Sequence, residues 1–149
     1  MFNINNLTRG FVAGFIATAV LTLFMMIKSV LGVMPAFNPI HILSNLITEY
    51  IGLSLGMGVG WVMHFLLGSL VWGGALVVLN KILPGTNQLT KAVALAISAW
   101  LAMMVVLMPL ANLGLFGLAL DIKVPVMTFV LHLVFGVALG VSYSKLNKG

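Results

Sequence analysis

Residues 51–80 read IGLSLGMGVGWVMHFLLGSLVWGGALVVLN, thirty positions without a charged side chain. A helix needs about 20 mostly apolar residues to cross the hydrocarbon of a bilayer, and this run is longer than that. Three further charge-free runs cover 10–27, 92–120 and 124–144. The first reaches spanning length if Lys28 snorkels outward. Polar and apolar residues do not alternate within the runs, so membrane-spanning strands fit poorly.

Composition agrees. Of 149 residues, seven are Lys or Arg and two are Asp or Glu, while 62% are hydrophobic. A soluble domain carries roughly 25% charged residues. Nine charges cannot build a water-facing surface, whereas lipid removes the need for one. No cysteine is present, which excludes disulfides, thiolate metal sites and iron–sulfur clusters. The net charge of +5 is small and split between segments; it reports membrane orientation and argues against nucleic acid as a partner.

These features predict an all-α, integral membrane four-helix bundle forming one transmembrane domain over 1–149. The helices are expected at 7–33, 51–79, 89–108 and 124–143. Pro35 and Pro39 interrupt the chain after the first. Asn38 suits an N-cap with Pro39 at the first helical position, giving a short interfacial helix over 39–50 between helices one and two. Pro84-Gly85-Thr86-Asn87 reads as a turn. Pro109 is expected to end helix three, followed by a loop containing Asn112, Gly114 and Gly117. The first run is read as a retained helix, because no small-x-small cleavage site follows it.

Four spans put both termini on one side of the membrane. That side carries Arg9, Lys81, Lys91, Lys145 and Lys148; the other carries Lys28, Glu49, Asp121 and Lys123. The basic excess favours the terminal side as cytoplasmic.

Two stripes stand out. In helix two, Gly52, Gly56, Gly60, His64 and Gly68 recur every four residues. In helix four, Thr128, His132, Gly136, Gly140 and Ser144 do the same. Residues four apart share a helix face, so each histidine lies in a track of small residues. Such tracks let helices approach closely in lipid, and they also leave room for a flat cofactor beside an imidazole. His64 and His132 are therefore the candidate ligands of a metal or of haem iron, with Gly68 and Gly136 as the cofactor-facing glycines. Counted from the expected helix starts, His64 lies about 20 Å deep and His132 about 12 Å. Packing, or a hydrogen bond to a nearby hydroxyl or carbonyl, is the competing reading of both histidines. His41 is expected at the interface and exposed. A weak duplication (Met25-Met26 then Met34-Pro35; Met103-Met104 then Met108-Pro109) suggests two repeated helical hairpins.

No Asp, Glu, Lys or Arg lies inside the runs, so no charged relay for ion-coupled pumping is evident. Ser54, Ser69 and Ser98 have no acidic partner at matching depth, and no catalytic set emerges.

Gly60-Trp61-x-x-His64-Phe65-x-x-Gly68 with Trp72-Gly73, Leu115-Phe116-Gly117-Leu118 and Leu131-His132-x-x-x-Gly136 resemble an uncharacterised bacterial family of small four-helix integral membrane proteins, a domain of unknown function. The resemblance runs from about Arg9 to Ser144. It implies the bacterial inner membrane and the same fold throughout, and no activity.

Three functions are expected in descending order. The first is a structural or accessory subunit of a larger inner-membrane complex, docking other subunits or a second copy through small-residue faces. The second is a small redox protein binding haem b or quinone near His64 and His132. The third is a small-solute transporter or channel acting as an oligomer. A lipid-modifying enzyme is a remaining option.

Overall fold

A computed structural model describes residues 4–52 and 55–148. Helix α1 spans Ile4–Val30, α2 Pro39–Ile51, α3 Met57–Val78, α4 Gln88–Leu110 and α5 Val124–Leu146. The fold is all-α: α1, α3, α4 and α5 are each long and apolar enough to cross a bilayer, and α2 is the short helix between the first two. Helices suit lipid because they satisfy their backbone groups internally.

Two hairpins organise the bundle. α1 packs along α3, α4 packs along α5, and the hairpins join chiefly through α1 against α5. A strict two-fold repeat would also pack α3 along α4, but that contact is slight. Both ends of the chain lie at one end of the bundle, where Arg9 Nη1 donates to Asn147 Oδ1 at 3.3 Å. Lys91 Nζ bonds to Asn80 O at the same end, and Asn80 and Gln88 pair their carboxamides across the α3–α4 turn.

The core has two main clusters, and the one nearer the termini sets buried alanines among larger residues such as Phe135 and Tyr143. Ala13, Ala17, Ala92 and Ala96 are fully buried with Leu76 and Leu139. Phe37, Met104, Met108 and Val124 form the second cluster. Outside, Phe15 and Leu23 on α1, Val62 and Leu70 on α3, Val105 and Val106 on α4, and Val126 and Val130 on α5 are 46–66% exposed. That apolar belt needs lipid around it. The methionines at 104 and 108 are core filler, with Met104 Sδ 3.8 Å from the Thr128 hydroxyl oxygen.

Of the boundaries that differ from the sequence expectation, three have a local reason. α2 is capped by Asn38, whose Oδ1 accepts from Ile40 N and His41 N, and it ends on Gly52 at φ 75°. That left-handed cap, which glycine adopts without penalty, breaks the helix, so α3 begins only at Met57 instead of 51; Leu53 and Ser54, in this break, lie outside the described residues. α4 runs through Pro109 to Leu110. A π-helical turn over Met103–Leu107 precedes the proline, and the widened turn accommodates a residue without an N–H whose ring would clash in a regular α-helix. α1 ends at Val30, where Lys28 Nζ folds back to donate to Met34 O and Phe37 O, both at 2.9 Å, over the Phe37 ring.

Candidate intramembrane histidine site

The later start of α3 changes the depth of its histidine. His64 is the seventh residue after Met57, and His132 the eighth after Val124. At 1.5 Å per residue the two lie about 10 and 12 Å from the end of the bundle opposite the termini. Counted in this way, the two lie at similar depths in the bundle.

Their settings are built by the small-residue stripes. On α1, Gly10, Gly14, Thr18 and Thr22 recur every four residues and meet the stripe of α3. A Cβ on Gly14 would stand 2.5 Å from Gly68 O, and one on Gly68 would overlap Thr18 Oγ1. Gly73 meets Gly10 and Gly14 in the same way. Gly60, His64 and Gly68 are four apart, but Gly68 to Gly73 is five. The π-helical stretch Leu67–Gly73 absorbs the extra residue and keeps the glycines on α1. One turn beyond Thr18, Thr22 Oγ1 lies 3.1 Å from His64 Nε2. The Phe65 and Trp61 rings stand edge-on to the imidazole.

On α5, Gly136 and Gly140 face α4: a Cβ on Gly136 would meet Ala96 Cβ at 2.7 Å, and one on Gly140 would meet Leu89 Cα at the same distance. Thr128 anchors the far end of the stripe. Its hydroxyl donates to Val124 O at 2.7 Å, and Trp100 Nε1 donates to Thr128 Oγ1 at 3.2 Å and Pro125 O at 3.1 Å. His132 Nδ1 lies 2.8 Å from Thr128 O. Gly68 and Gly136 thus belong to two different helix interfaces, and the room each leaves is taken by a neighbouring helix.

Proton bookkeeping then fixes what the imidazoles offer when neutral. A carbonyl only accepts, so His132 Nδ1 carries the proton and Nε2 the lone pair. The Thr22 hydroxyl donates to Thr18 O at 2.8 Å. Its single proton is spent there, so His64 Nε2 is the donor to Thr22 and Nδ1 keeps its lone pair. Among the described residues neither His64 Nδ1 nor His132 Nε2 has a hydrogen-bond partner. No side-chain nitrogen or oxygen among them is both sealed in and unpartnered, so neither of these nitrogens is completely enclosed. An accessible polar atom at hydrocarbon depth has no bulk water to bind.

Among the described residues no three His, Asp or Glu side chains gather to hold a metal ion. Two imidazoles are too few for a closed site around a bare ion such as zinc. A haem, which brings four nitrogens of its own, would need only one or two side-chain ligands from the protein.

Sequence reasoning singled out His64 and His132, and placed Thr18 and Thr22 with them only as a conceivable pore lining; it did not pair Thr22 with His64 or read the stripe carrying it. The signal was present: Gly10, Gly14, Thr18 and Thr22 have the same four-residue spacing as the two stripes that were noticed.

The sequence motifs around these histidines and the four-span fold now have a counterpart. The chain belongs to DUF6789, a family of unknown function. The family model matches residues 4–149, so it covers all four spans and both histidines. No curated protein and no solved structure matches the chain.

Proposed function

We propose that this member of DUF6789 is a small intramembrane redox protein, and that its ligand is a membrane-soluble quinol or haem b held at His64 and His132. One observation carries the reading. Two imidazoles at similar depth each commit one nitrogen to a helix-side oxygen and leave the other without a partner among the described residues. Two lone pairs ask for an electron-pair acceptor: the hydroxyl protons of a hydroquinone, or haem iron. Thr22 and Thr128 act as positioning residues, because they fix which nitrogen of each ring is free. The side carrying Arg9, Lys81, Lys91, Lys145 and Lys148 would face the cytoplasm of a bacterium, putting the histidines nearer the opposite leaflet.

The test is spectral. Protein purified after haem-supplemented expression should show a Soret band that shifts or disappears in His64→Ala and His132→Ala. A colourless preparation removes haem. Binding of a short-tailed hydroquinone, followed by equilibrium dialysis in micelles, then decides the quinol version. Failure of both assays overturns the proposal.

A second reading, an accessory subunit of a larger complex, is favoured by the open groove between α1 and α3 lined by Phe15, Trp61, Phe65 and Leu70. It predicts a partner that survives gentle extraction; a monomer or homo-oligomer surrounded only by lipid would count against it.

A further inference from the structure

At the end of the bundle opposite the termini, a cavity of about 250 Å³ opens between α2 and the α4–α5 connection. One wall is polar: His41, Asn45 and Glu49 stand four residues apart on one face of α2, with the capping Asn38 beside them. The facing wall is apolar, with Leu113 and Leu120. Both walls are held. Tyr50 Oη donates to Leu110 O at 3.2 Å, tying the end of α2 to the end of α4. Asn112, next to the lining residue Leu113, takes φ 59°, and Phe116 takes φ 58° while its ring meets Trp100 edge-on. Left-handed backbone at non-glycine residues costs energy and persists where the surroundings enforce it, often at ligand sites.

The polar wall has a definite sign. Glu49 is the carboxylate lining the cavity, and among the described residues it makes no ion pair or hydrogen bond. Asn45 Nδ2 donates to His41 Nδ1 at 3.2 Å, so the neutral ring carries its proton on Nε2 and Asn45 keeps its carbonyl oxygen free to accept. The wall therefore combines one anion, one carboxamide acceptor and one imidazole donor, opposite an aliphatic surface, at the level where the spans end. We infer that this cavity binds a primary ammonium group whose attached body lies on Leu113 and Leu120. Glu49 is the counter-ion, Asn45 Oδ1 a second acceptor, and His41 Nε2–H a donor for an oxygen adjoining the amine. An aminophospholipid headgroup and a free small amine share this chemistry.

Native mass spectrometry of the detergent-solubilised protein separates the sources. Short-chain phosphatidylethanolamine, phosphatidylcholine and phosphatidylglycerol are offered in parallel, and free ethanolamine in a separate arm. Glu49 is exposed, so Glu49→Gln leaves the fold intact. The expected result is preferential retention of phosphatidylethanolamine, or of free ethanolamine, weakened roughly tenfold or more in Glu49→Gln, as loss of a charge-assisted bond implies. Retention of phosphatidylethanolamine points to the lipid source, and of ethanolamine alone to the free amine. Equal retention of all three lipids with no ethanolamine bound, or amine binding unchanged in Glu49→Gln, overturns the inference.

Discussion

The α1–α3 crossing can be tested with one methyl group. In Gly14→Ala the new Cβ would lie 2.5 Å from Gly68 O and 2.9 Å from both Ser69 Cα and Ser69 O. Carbon contacts relax at about 3.5–4.0 Å, and every atom in the way is backbone or fixed to it, so no rotamer change relieves the clash. The helices must part by roughly 0.5–1 Å, which forfeits a quarter to a half of the contact energy along the seam. Overpacking of this kind costs about 1–3 kcal/mol. Parting also lengthens the 2.9 Å bond from Ser69 Oγ to Phe11 O, worth about 0.6 kcal/mol in a membrane. Against this stands the helix preference of alanine over glycine, about 1 kcal/mol. The sum is a destabilisation of about 0.6–2.6 kcal/mol. Gly58→Ala is the control, because a Cβ there meets nothing within 4 Å; it should be neutral or stabilising by up to about 1 kcal/mol. Unfolding in mixed micelles with rising dodecyl sulfate, followed by circular dichroism, measures both. If Gly14→Ala equals or exceeds the parent protein in stability, the close-packed seam described here is wrong.

Thr22→Val removes the acceptor of His64 Nε2 at nearly constant volume; it should cost about 0.6–1.7 kcal/mol in the same assay and weaken hydroquinone or haem binding by freeing the ring to turn. Binding unchanged in Thr22→Val would deny Thr22 its positioning role. Trp100→Phe keeps an aromatic ring but loses the bonds to Pro125 O and Thr128 Oγ1; a loss of about 1–2 kcal/mol is expected, and an unshifted unfolding midpoint would show those bonds to be idle. Lys28→Met breaks the two bonds that fold the α1–α2 connection back; hydrogen exchange at residues 31–38 should accelerate, with α4 and α5 unaffected, and an unchanged pattern would remove Lys28 as the tie.

The histidine site was half legible. His64 and His132 announce themselves because polar groups are rare in such runs and each sits in a stripe of small residues. Their similar depth was obscured by the break between Ile51, where α2 ends, and Met57, where α3 begins. Hydropathy cannot mark that break, because the connection is as apolar as the span it precedes. Thr22 was hidden for a different reason: a threonine bonded back to its own helix, as Thr18 and Thr22 are, looks in sequence like any tolerated polar residue.

What the sequence by itself determined was the solvent. Four runs without charge oblige the chain to cross a bilayer as helices, while Asn38 and Pro39 mark the start of the short helix between the first two and Pro84-Gly85 the turn between the second and third. What only the tertiary structure decided was which faces meet. In water, apolar periodicity identifies the buried side of a helix. In lipid, the outside is as apolar as the inside, so Val62 in the belt and Leu76 in the core carry the same label. Close approach at Gly14, Gly68 and Gly136, two π-helical turns and single hydroxyl bonds at Thr22 and Thr128 choose the partners, and those are properties of paired surfaces that no single helix contains.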